Sequence, residues 1–226
     1  MIGIIGAMDI EVDYIKSIMT DVEIVSVSGV DFYAGKAFGK DVVTAKCGIG
    51  KVYAALCCQT MILKFNPDVI INTGVAGALV SGLSVLDVVV ADKVCQHDMD
   101  TSPLGDPKGL ISGINKIFFP CDERYANLLS EVVSRLNLKG VSGTVASGDV
   151  FVADKALKNA ISSEFSAVAC EMEGGAMGHV CFVNNVPFCC LRAISDGDGA
   201  EMDYMEFSKL AADNACKIME EFLKIV

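Results

Sequence analysis

The chain has 226 residues, a hydrophobic fraction of 52% and a formal net charge of −11 at pH 7. This length fits one α/β domain with a full core, so we expect a single domain over residues 1–226. The charge opposes binding to nucleic acid or to an anionic membrane surface, and no apolar stretch reaches the ~18 residues that a membrane-spanning helix needs.

Apolar runs typical of strands alternate with helical patterns along the chain. The strand-like runs lie at 2–6, 41–46, 68–73, 87–95, 141–147, 167–171 and 187–194. Helical periodicity occurs at 122–137, at 154–165 and at 207–223. Several runs are apolar at every position, as in parallel strands that are covered on both faces. Because the segment 22–46 instead resembles a glycine-bounded hairpin, we predict a mixed, mainly parallel sheet.

The segment 96–120 is rich in proline, glycine and large apolar side chains. A loop of this length commonly has a functional role or reaches across an interface. Its apolar side chains are unsuited to a solvated loop. We interpret the segment as an arm that packs on a partner subunit or over the site.

The ten cysteines include no C-x-x-C spacing, which argues against zinc and thioredoxin-type sites. Several lie within apolar runs, as at Cys189 and Cys190, where a thiol behaves as a small hydrophobic side chain. The first apolar run has no basic segment before it, so we expect no signal peptide. These features predict a protein of the reducing cytoplasm.

Three glycine motifs resemble parts of nucleotide-binding loops. Gly3-Ile4-Ile5-Gly6 lacks the full dinucleotide-binding pattern, and the Walker A pattern fails around Gly50-Lys51. The third motif, at 72–77, follows a buried strand, and its glycines allow either close approach of a ligand or a tight turn. The two histidines, His97 and His179, have no neighbouring nucleophile elbow, which disfavours a hydrolase triad.

Acidic residues directly follow three of the apolar runs: Glu11 follows the first, Glu171 and Glu173 follow another, and Asp196 follows the last. In an α/β domain the ends of buried strands meet at the crevice where ligands bind. Ionised carboxylates are costly beside an apolar sheet, so their convergence indicates proton transfer or stabilisation of a cation.

Each acid also has a purely structural interpretation. Glu11 could be an exposed acid in the first turn of a helix, and Glu171 and Glu173 could share one face of an exposed strand end. Asp196 could cap a following turn together with Ser195. Chance placement of all three acids after apolar runs is much less plausible than chance placement of any one of them.

Four motifs occur in order along the chain: Gly6-Ala7-Met8-x-x-Glu11, Ser147-Gly148-Asp149-x-Phe151, Glu171-Met172-Glu173 and Arg192-Ala193-Ile194-Ser195-Asp196. As a set, over nearly the whole chain, they resemble the bacterial 5′-methylthioadenosine/S-adenosylhomocysteine nucleosidases. The resemblance implies a nucleoside phosphorylase-like fold, which is a three-layer α/β/α sandwich around a central mixed β-sheet. It also implies a homodimer that needs neither cofactor nor metal.

The implied reaction is hydrolysis of the N-glycosidic bond of these nucleosides, and also of 5′-deoxyadenosine, in methionine salvage and methyl-cycle recycling. Asp196 matches the acid that protonates adenine at N7 and so must hold a proton near neutral pH. Glu11 matches the residue that activates water, and Glu173 the carboxylate that binds the ribose hydroxyls and favours a cationic sugar. Arg192 matches a residue that orders the water and carboxylate network.

The same resemblance assigns the substrate-binding contacts. Phe151 stacks on adenine, the backbone of Val152 meets its Watson–Crick edge, and Met172 packs under the ribose. Val75 stands near the acid, where some members carry serine. The 5′-alkylthio pocket is formed by Met8, Ile49 and Tyr204, and by Thr101 and Leu104 of the other subunit.

Two other functions remain open at this point. A phosphorolytic relative would need an anion site, which the absence of arginine before Arg124 opposes. A nucleoside-binding sensor would need the stacking residues but not all of the acids. The sequence does not rank the 5′-substituents, among which aminodeoxyfutalosine is a further candidate.

Overall fold

The computed structural model describes residues 1–196 and 204–226, with the backbone alone for 204–206. The strands are β1 Ile2–Gly6, β2 Thr20–Val27, β3 Val30–Ala37, β4 Lys40–Lys46, β5 Val69–Ala78, β6 Val88–Gln96, β7 Phe118–Pro120, β8 Gly140–Ser147, β9 Ala167–Glu171 and β10 Phe188–Asp196. The helices are α1 Asp9–Ser17, α2 Lys51–Phe65, α3 Glu123–Arg135, α4 Lys155–Phe165, α5 Gly174–Asn184 and α6 Tyr204–Ile225.

All ten strands belong to one mixed sheet, in the order β10-β6-β8-β9-β5-β1-β4-β3-β2, with β7 paired to β6. β1 is parallel to β4 and β5, whereas β2, β3 and β4 form the antiparallel meander predicted as a hairpin. β5 pairs with β10 as well as with β9. The strands β5, β10, β6, β8 and β9 therefore close into a ring at one end of the sheet.

Helices cover both faces of this sheet, which confirms the three-layer α/β/α sandwich. Successive residues of a strand point to opposite faces, and in β1 Ile5 packs in the core beneath α2 and α5 while Ile4 packs beneath α1, α3 and α6. Both side chains are fully buried. The runs that are apolar at every position owe that composition to this covering on both faces.

Two predicted helices begin at aspartate caps. Asp122 accepts a hydrogen bond from the backbone N–H of Tyr125, and Asp154 accepts one from that of Leu157. The predicted apolar face of α3 is buried in the core. On α4 the helical repeat of Leu157, Ala160, Ile161 and Phe165 buries Ile161 and Phe165, whereas Leu157 and Ala160 are exposed.

The segment 96–120 differs in part from the predicted arm. Its end forms β7, and the side chains of Ile111, Ile114 and Ile117 pack against cores of the same chain. These side chains are half-buried against their own chain, and packing of the segment on a partner subunit stays a prediction. Leu104, by contrast, is 84% exposed on a short 3-10 turn.

All ten cysteines are buried free thiols. Burial raises the pKa of Cys57, Cys95 and Cys190 to about 12, so these thiols stay neutral, as expected of small hydrophobic side chains. Within the described ranges, none of the helices has the length and apolar character needed to cross a membrane.

Candidate active site

A pocket of about 660 Å³ opens where several strands of the ring end. Many of its lining residues are ones that the sequence predicted: Met8, Glu11, Ile49, Val75, Phe151, Val152, Met172, Glu173 and Asp196. Others were not predicted: Ala76, Gly77, Cys170 and Ser195.

Glu11 is buried at the third position of α1, with 4% of its surface exposed. Its Oε2 accepts hydrogen bonds from the backbone N–H groups of Ala7 (2.7 Å) and Met8 (2.9 Å), and its Oε1 accepts one from Val75 (3.0 Å). Burial raises the pKa of Glu11, while the charge of Arg192 and these N–H groups oppose the increase. The alternative of an exposed first-turn acid is wrong.

Within the segment 72–77, Gly74 leaves room for the side chain of Glu11, and Gly77 leaves room for that of Asp196. β5 continues through the whole segment, so the tight-turn interpretation is wrong. A Cβ on Gly74 would lie 2.9 Å from Cδ of Glu11, and one on Gly77 would lie 2.7 Å from Oδ1 of Asp196. Such distances are too short for carbon and carboxylate atoms, so glycine is required at both positions for close approach of an acid side chain.

Arg192 and Glu171 form a buried ion pair below the pocket. The guanidinium donates to Oε2 of Glu171 (2.5 Å), to Oδ1 of Asn72 and to the carbonyl of Leu191 (3.1 Å). Burial disfavours the charge of Glu171, but the charge and hydrogen bond of Arg192, together with hydrogen bonds from Ser147 and Gly174, outweigh it and hold the pKa of Glu171 below its usual range. Arg192 therefore contacts Glu171, a pairing that the sequence analysis missed.

Glu173 does not share a strand face with Glu171. β9 ends at Glu171, whose Oε2 accepts the backbone N–H of Glu173 at 2.9 Å, and Glu173 itself precedes the first residue of α5. The prediction of a common face is wrong because this turn ends the strand. Burial, followed by the charge of Glu171, raises the pKa of Glu173 to about 8. At pH 7 the neutral form of the Glu173 carboxyl group is therefore favoured.

A network that we call the three-loop clamp, formed by Lys51, Asp98 and Asp149, fixes the loop opposite Glu173. Nζ of Lys51 lies 2.6 Å from Oδ1 of Asp98, and Asp149 accepts the backbone N–H of Lys51 at 2.8 Å. Asp98 in turn accepts the N–H of Asp149 at 2.9 Å. The clamp holds Gly50, at φ +102°, where its N–H donates to Glu173 at 2.8 Å.

Asp196 is the last residue of β10 and the register partner of Gly77. A register shift between Ile194 and Asp196 separates it from the regular pairing, and such bulges redirect side chains near active sites. Its Oδ2 forms an ion pair of 2.8 Å with Nζ of Lys158 on α4. Lys158 was also missed, because nothing in the sequence relates the two positions.

Only some of the predicted substrate-binding residues line the pocket of a single chain. Phe151 lines the pocket and is 58% exposed, whereas Thr101 and Leu104 do not line it. Thr101 donates instead to Asp106 on its own loop. The side chain of Tyr204 lies outside the described residues.

No cluster of three or more His, Cys, Asp or Glu side chains in the described part of the chain is arranged to hold a metal ion. His179 stacks on Phe119 with ring centroids 5.0 Å apart, and burial lowers its pKa. The pocket is lined by four carboxyl groups in different environments, those of Glu11, Glu171, Glu173 and Asp196, an arrangement suited to acid–base chemistry.

Comparison with known proteins assigns the chain to one family. A sequence profile of the phosphorylase superfamily matches residues 1–224. The chain is 38% identical over 229 residues to the 5′-methylthioadenosine/S-adenosylhomocysteine nucleosidase of Staphylococcus haemolyticus, with 100% of each chain covered.

Two solved structures from Helicobacter pylori are similar over the whole chain. One is a mutant of its 5′-methylthioadenosine nucleosidase with 5′-methylthioadenosine in the active site, at a TM-score of 0.94 and 34% identity, covering 100% of this chain and 98% of that one. The other is its futalosine hydrolase, at a TM-score of 0.93 and 35% identity, covering 100% and 97%.

Proposed function

The chain belongs to the 5′-methylthioadenosine/S-adenosylhomocysteine nucleosidases of the phosphorylase superfamily, and from this premise we infer that it hydrolyses the N-glycosidic bond of both nucleosides. The products are adenine and the corresponding 5′-thioribose. The observation that carries this function is that buried Glu11 and Glu173 and half-buried Asp196 all line one pocket. We further propose activity on 5′-deoxyadenosine, and a place in methionine salvage and methyl-cycle recycling.

We propose that Asp196 is the general acid. Its position at the pocket and beside the space left by Gly77 supports this role. Protonation of adenine at N7 lets the base accept the electron pair of the breaking C1′–N9 bond. The sugar then becomes cationic, and Glu173 binds its hydroxyl groups. Burial favours the neutral form of Glu173. A sugar that becomes positive beside Glu173 favours ionisation of this carboxyl group.

Glu11 is the proposed base for the attacking water. Three backbone N–H groups hold its carboxylate in one orientation, and burial raises its pKa, which makes it a better proton acceptor. Arg192 acts through Glu171, and its charge also favours ionised Glu11. Water attacks from the side of the sugar opposite to the leaving base, as in inverting glycosidases.

The remaining pocket residues bind the substrate in this proposal. Phe151 stacks on adenine, the backbone of Val152 meets its polar edge, and Met172 packs under the ribose. The positions of these side chains in the pocket lining support the assignment. Met8 and Ile49 form the apolar end for the 5′-substituent, with Tyr204 as a further member, and Val75 lies near the acid.

Hydrolysis is favoured over phosphorolysis by the state of the one arginine near the pocket. Arg192 is buried and already bound to Glu171 and Asn72, and the other two arginines lie on α3. The carboxylate of Glu11, beside the position of attack, would repel a phosphate nucleophile. It does not hinder a neutral water molecule.

We propose that the active unit is a cytoplasmic homodimer of single-domain subunits spanning residues 1–226. α2 carries large apolar side chains on its exposed face, namely Val52, Tyr53, Leu56 and Leu63. Contiguous exposed apolar surface of this kind favours association, and a two-fold dimer is its commonest form. In such a dimer Thr101 and Leu104 complete the 5′-pocket of the neighbouring subunit.

Incubation with 5′-methylthioadenosine, in the presence and absence of phosphate, tests the reaction. Hydrolysis predicts adenine and free 5′-methylthioribose at equal rates in both. Sugar phosphate formed only with phosphate would show a phosphorylase, and binding without products would show a sensor.

A further inference from the structure

Lys158 makes the closest charged contact with the proposed general acid. It lies on α4, on the side of the helix that buries Ile161 and Phe165, and its Nζ is 2.8 Å from Oδ2 of Asp196. Only 19% of the Lys158 side chain and 21% of the Asp196 side chain are exposed. An ion pair sheltered to this degree is less screened than one on the open surface.

The other elements around Asp196 supply no second cation among the residues that the structure describes. β9 places the thiol of Cys170 near the carboxylate, and burial followed by the charge of Asp196 raises the pKa of that thiol to about 12, so it stays neutral. β5 presents only the backbone of Gly77. Among the described residues, Lys158 is therefore the cation that forms an ion pair with Asp196.

We propose that Lys158 is a positioning residue that stabilises the carboxylate which Asp196 becomes during the reaction. This inference rests on the proposed general-acid role. In the step, the O–H bond of Asp196 breaks, an N7–H bond forms, and the C1′–N9 electron pair passes to the purine. The oxygen of water bonds to C1′ and its proton passes to Glu11. The carboxylate left at Asp196 then faces the ammonium group of Lys158.

The ammonium group of Lys158 interacts more favourably with a carboxylate at Asp196 than with the neutral carboxyl group. In the transition state it therefore favours transfer of the Asp196 proton to adenine, which speeds the chemical step. A merely structural lysine would leave the pH profile unchanged.

Replacement of the charge tests this role. In Lys158→Met, kcat at its pH optimum should fall about tenfold, while the pH at which kcat/KM declines on its basic side should rise by about one unit. Lys158→Arg keeps the charge and should stay close to wild type in both. Lys155→Met removes an exposed lysine from the same helix and is the matched control.

A double-mutant cycle with Asp196→Asn tests whether Lys158 acts through Asp196. Lys158→Met should cause little further loss of kcat in the Asp196→Asn background. A full tenfold loss of kcat in the Asp196→Asn background would overturn the inference. So would a loss of kcat in Lys158→Met alone without movement of the pH profile. High activity of Asp196→Asn alone would instead refute the general-acid role itself, so the two failures are distinguishable.

Discussion

Gly74 lies directly against the carboxyl group of Glu11, with no room between them for a side chain at position 74. Glu11 cannot easily move aside, because three backbone N–H groups hold its two oxygens. The orientation of the proposed base is therefore determined jointly by a helix start and by the absence of a Cβ on a neighbouring strand.

Gly74→Ala should lower kcat by at least tenfold, because the new Cβ must displace either Glu11 or β5. Overpacking of this kind typically costs about 1–3 kcal/mol of stability. Steady-state kinetics and chemical denaturation on the same preparation measure both effects. Wild-type kcat and stability in this variant would show that Glu11 can adapt.

Glu11→Gln should reduce kcat by about two to four orders of magnitude, the typical contribution of a general base. Both oxygens of Glu11 accept backbone N–H groups, so the amide NH2 must face one of these donors, at a cost of about 1–3 kcal/mol in stability. Binding of a nucleoside inhibitor should change little. Calorimetric titration beside kinetics checks this, and equal losses in affinity and kcat would argue for a binding role.

Glu173→Gln should alter how stability depends on pH. The pKa of Glu173 is raised from 4.5 to about 8, so the folded protein holds an extra proton between these values. The corresponding stability is fully present below about pH 4.5 and is lost as pH rises through about 8. Relative to wild type, Glu173→Gln should therefore gain on the order of a few kcal/mol between pH 5 and pH 9. Urea denaturation at several pH values measures the difference, and a constant difference would contradict the raised pKa.

Val52→Asp should dissociate the proposed dimer without unfolding the subunit, since an acid is tolerated in the first turn of a helix. Ile24→Asp is the matched control. Ile24 is exposed on β2, and its register partner Tyr33 faces Lys16 of α1, on the opposite side of the sheet from α2. Sedimentation velocity should show monomers for Val52→Asp alone. A dimer that survives this change would place the interface elsewhere.

The same proposal makes a kinetic prediction for Leu104. In a shared pocket, Leu104→Asp should raise KM for 5′-methylthioadenosine more than for adenosine, because only the former has an apolar 5′-group. Equal effects on both nucleosides would mean that Leu104 does not reach the pocket of the neighbour.

The sequence located the acids but not the groups that control them. Glu11, Glu173 and Asp196 each follow an apolar run, and strand ends meet at one crevice, so their convergence on the pocket was predictable. The partners are far away in the chain: Arg192 is 21 residues from Glu171, and Lys158 is 38 residues from Asp196. Local patterns hold no information about such pairs.

The errors have a common physical cause. The common face of Glu171 and Glu173 assumed that a strand continues, whereas N–H groups at the start of α5 bend the chain onto Glu171. Ile111 and Ile114 are partly buried against a surface of the same chain, and only the folded sheet creates that surface. Apolar composition shows that a side chain needs cover, but not which surface provides it.

The positions of Gly74 and Gly77 in β5 determine the distance between the proposed base and the proposed acid. Gly74 adjoins Glu11 and Gly77 adjoins Asp196, and three residues of strand measure about 10 Å. An insertion or deletion between them would change the spacing of acid and base together, so this stretch should resist changes in length. The loop that carries Thr101 and Leu104 is free of that restriction. In the proposed dimer, changes in this loop would therefore alter which 5′-group is accepted while the spacing of the proposed acid and base stays fixed.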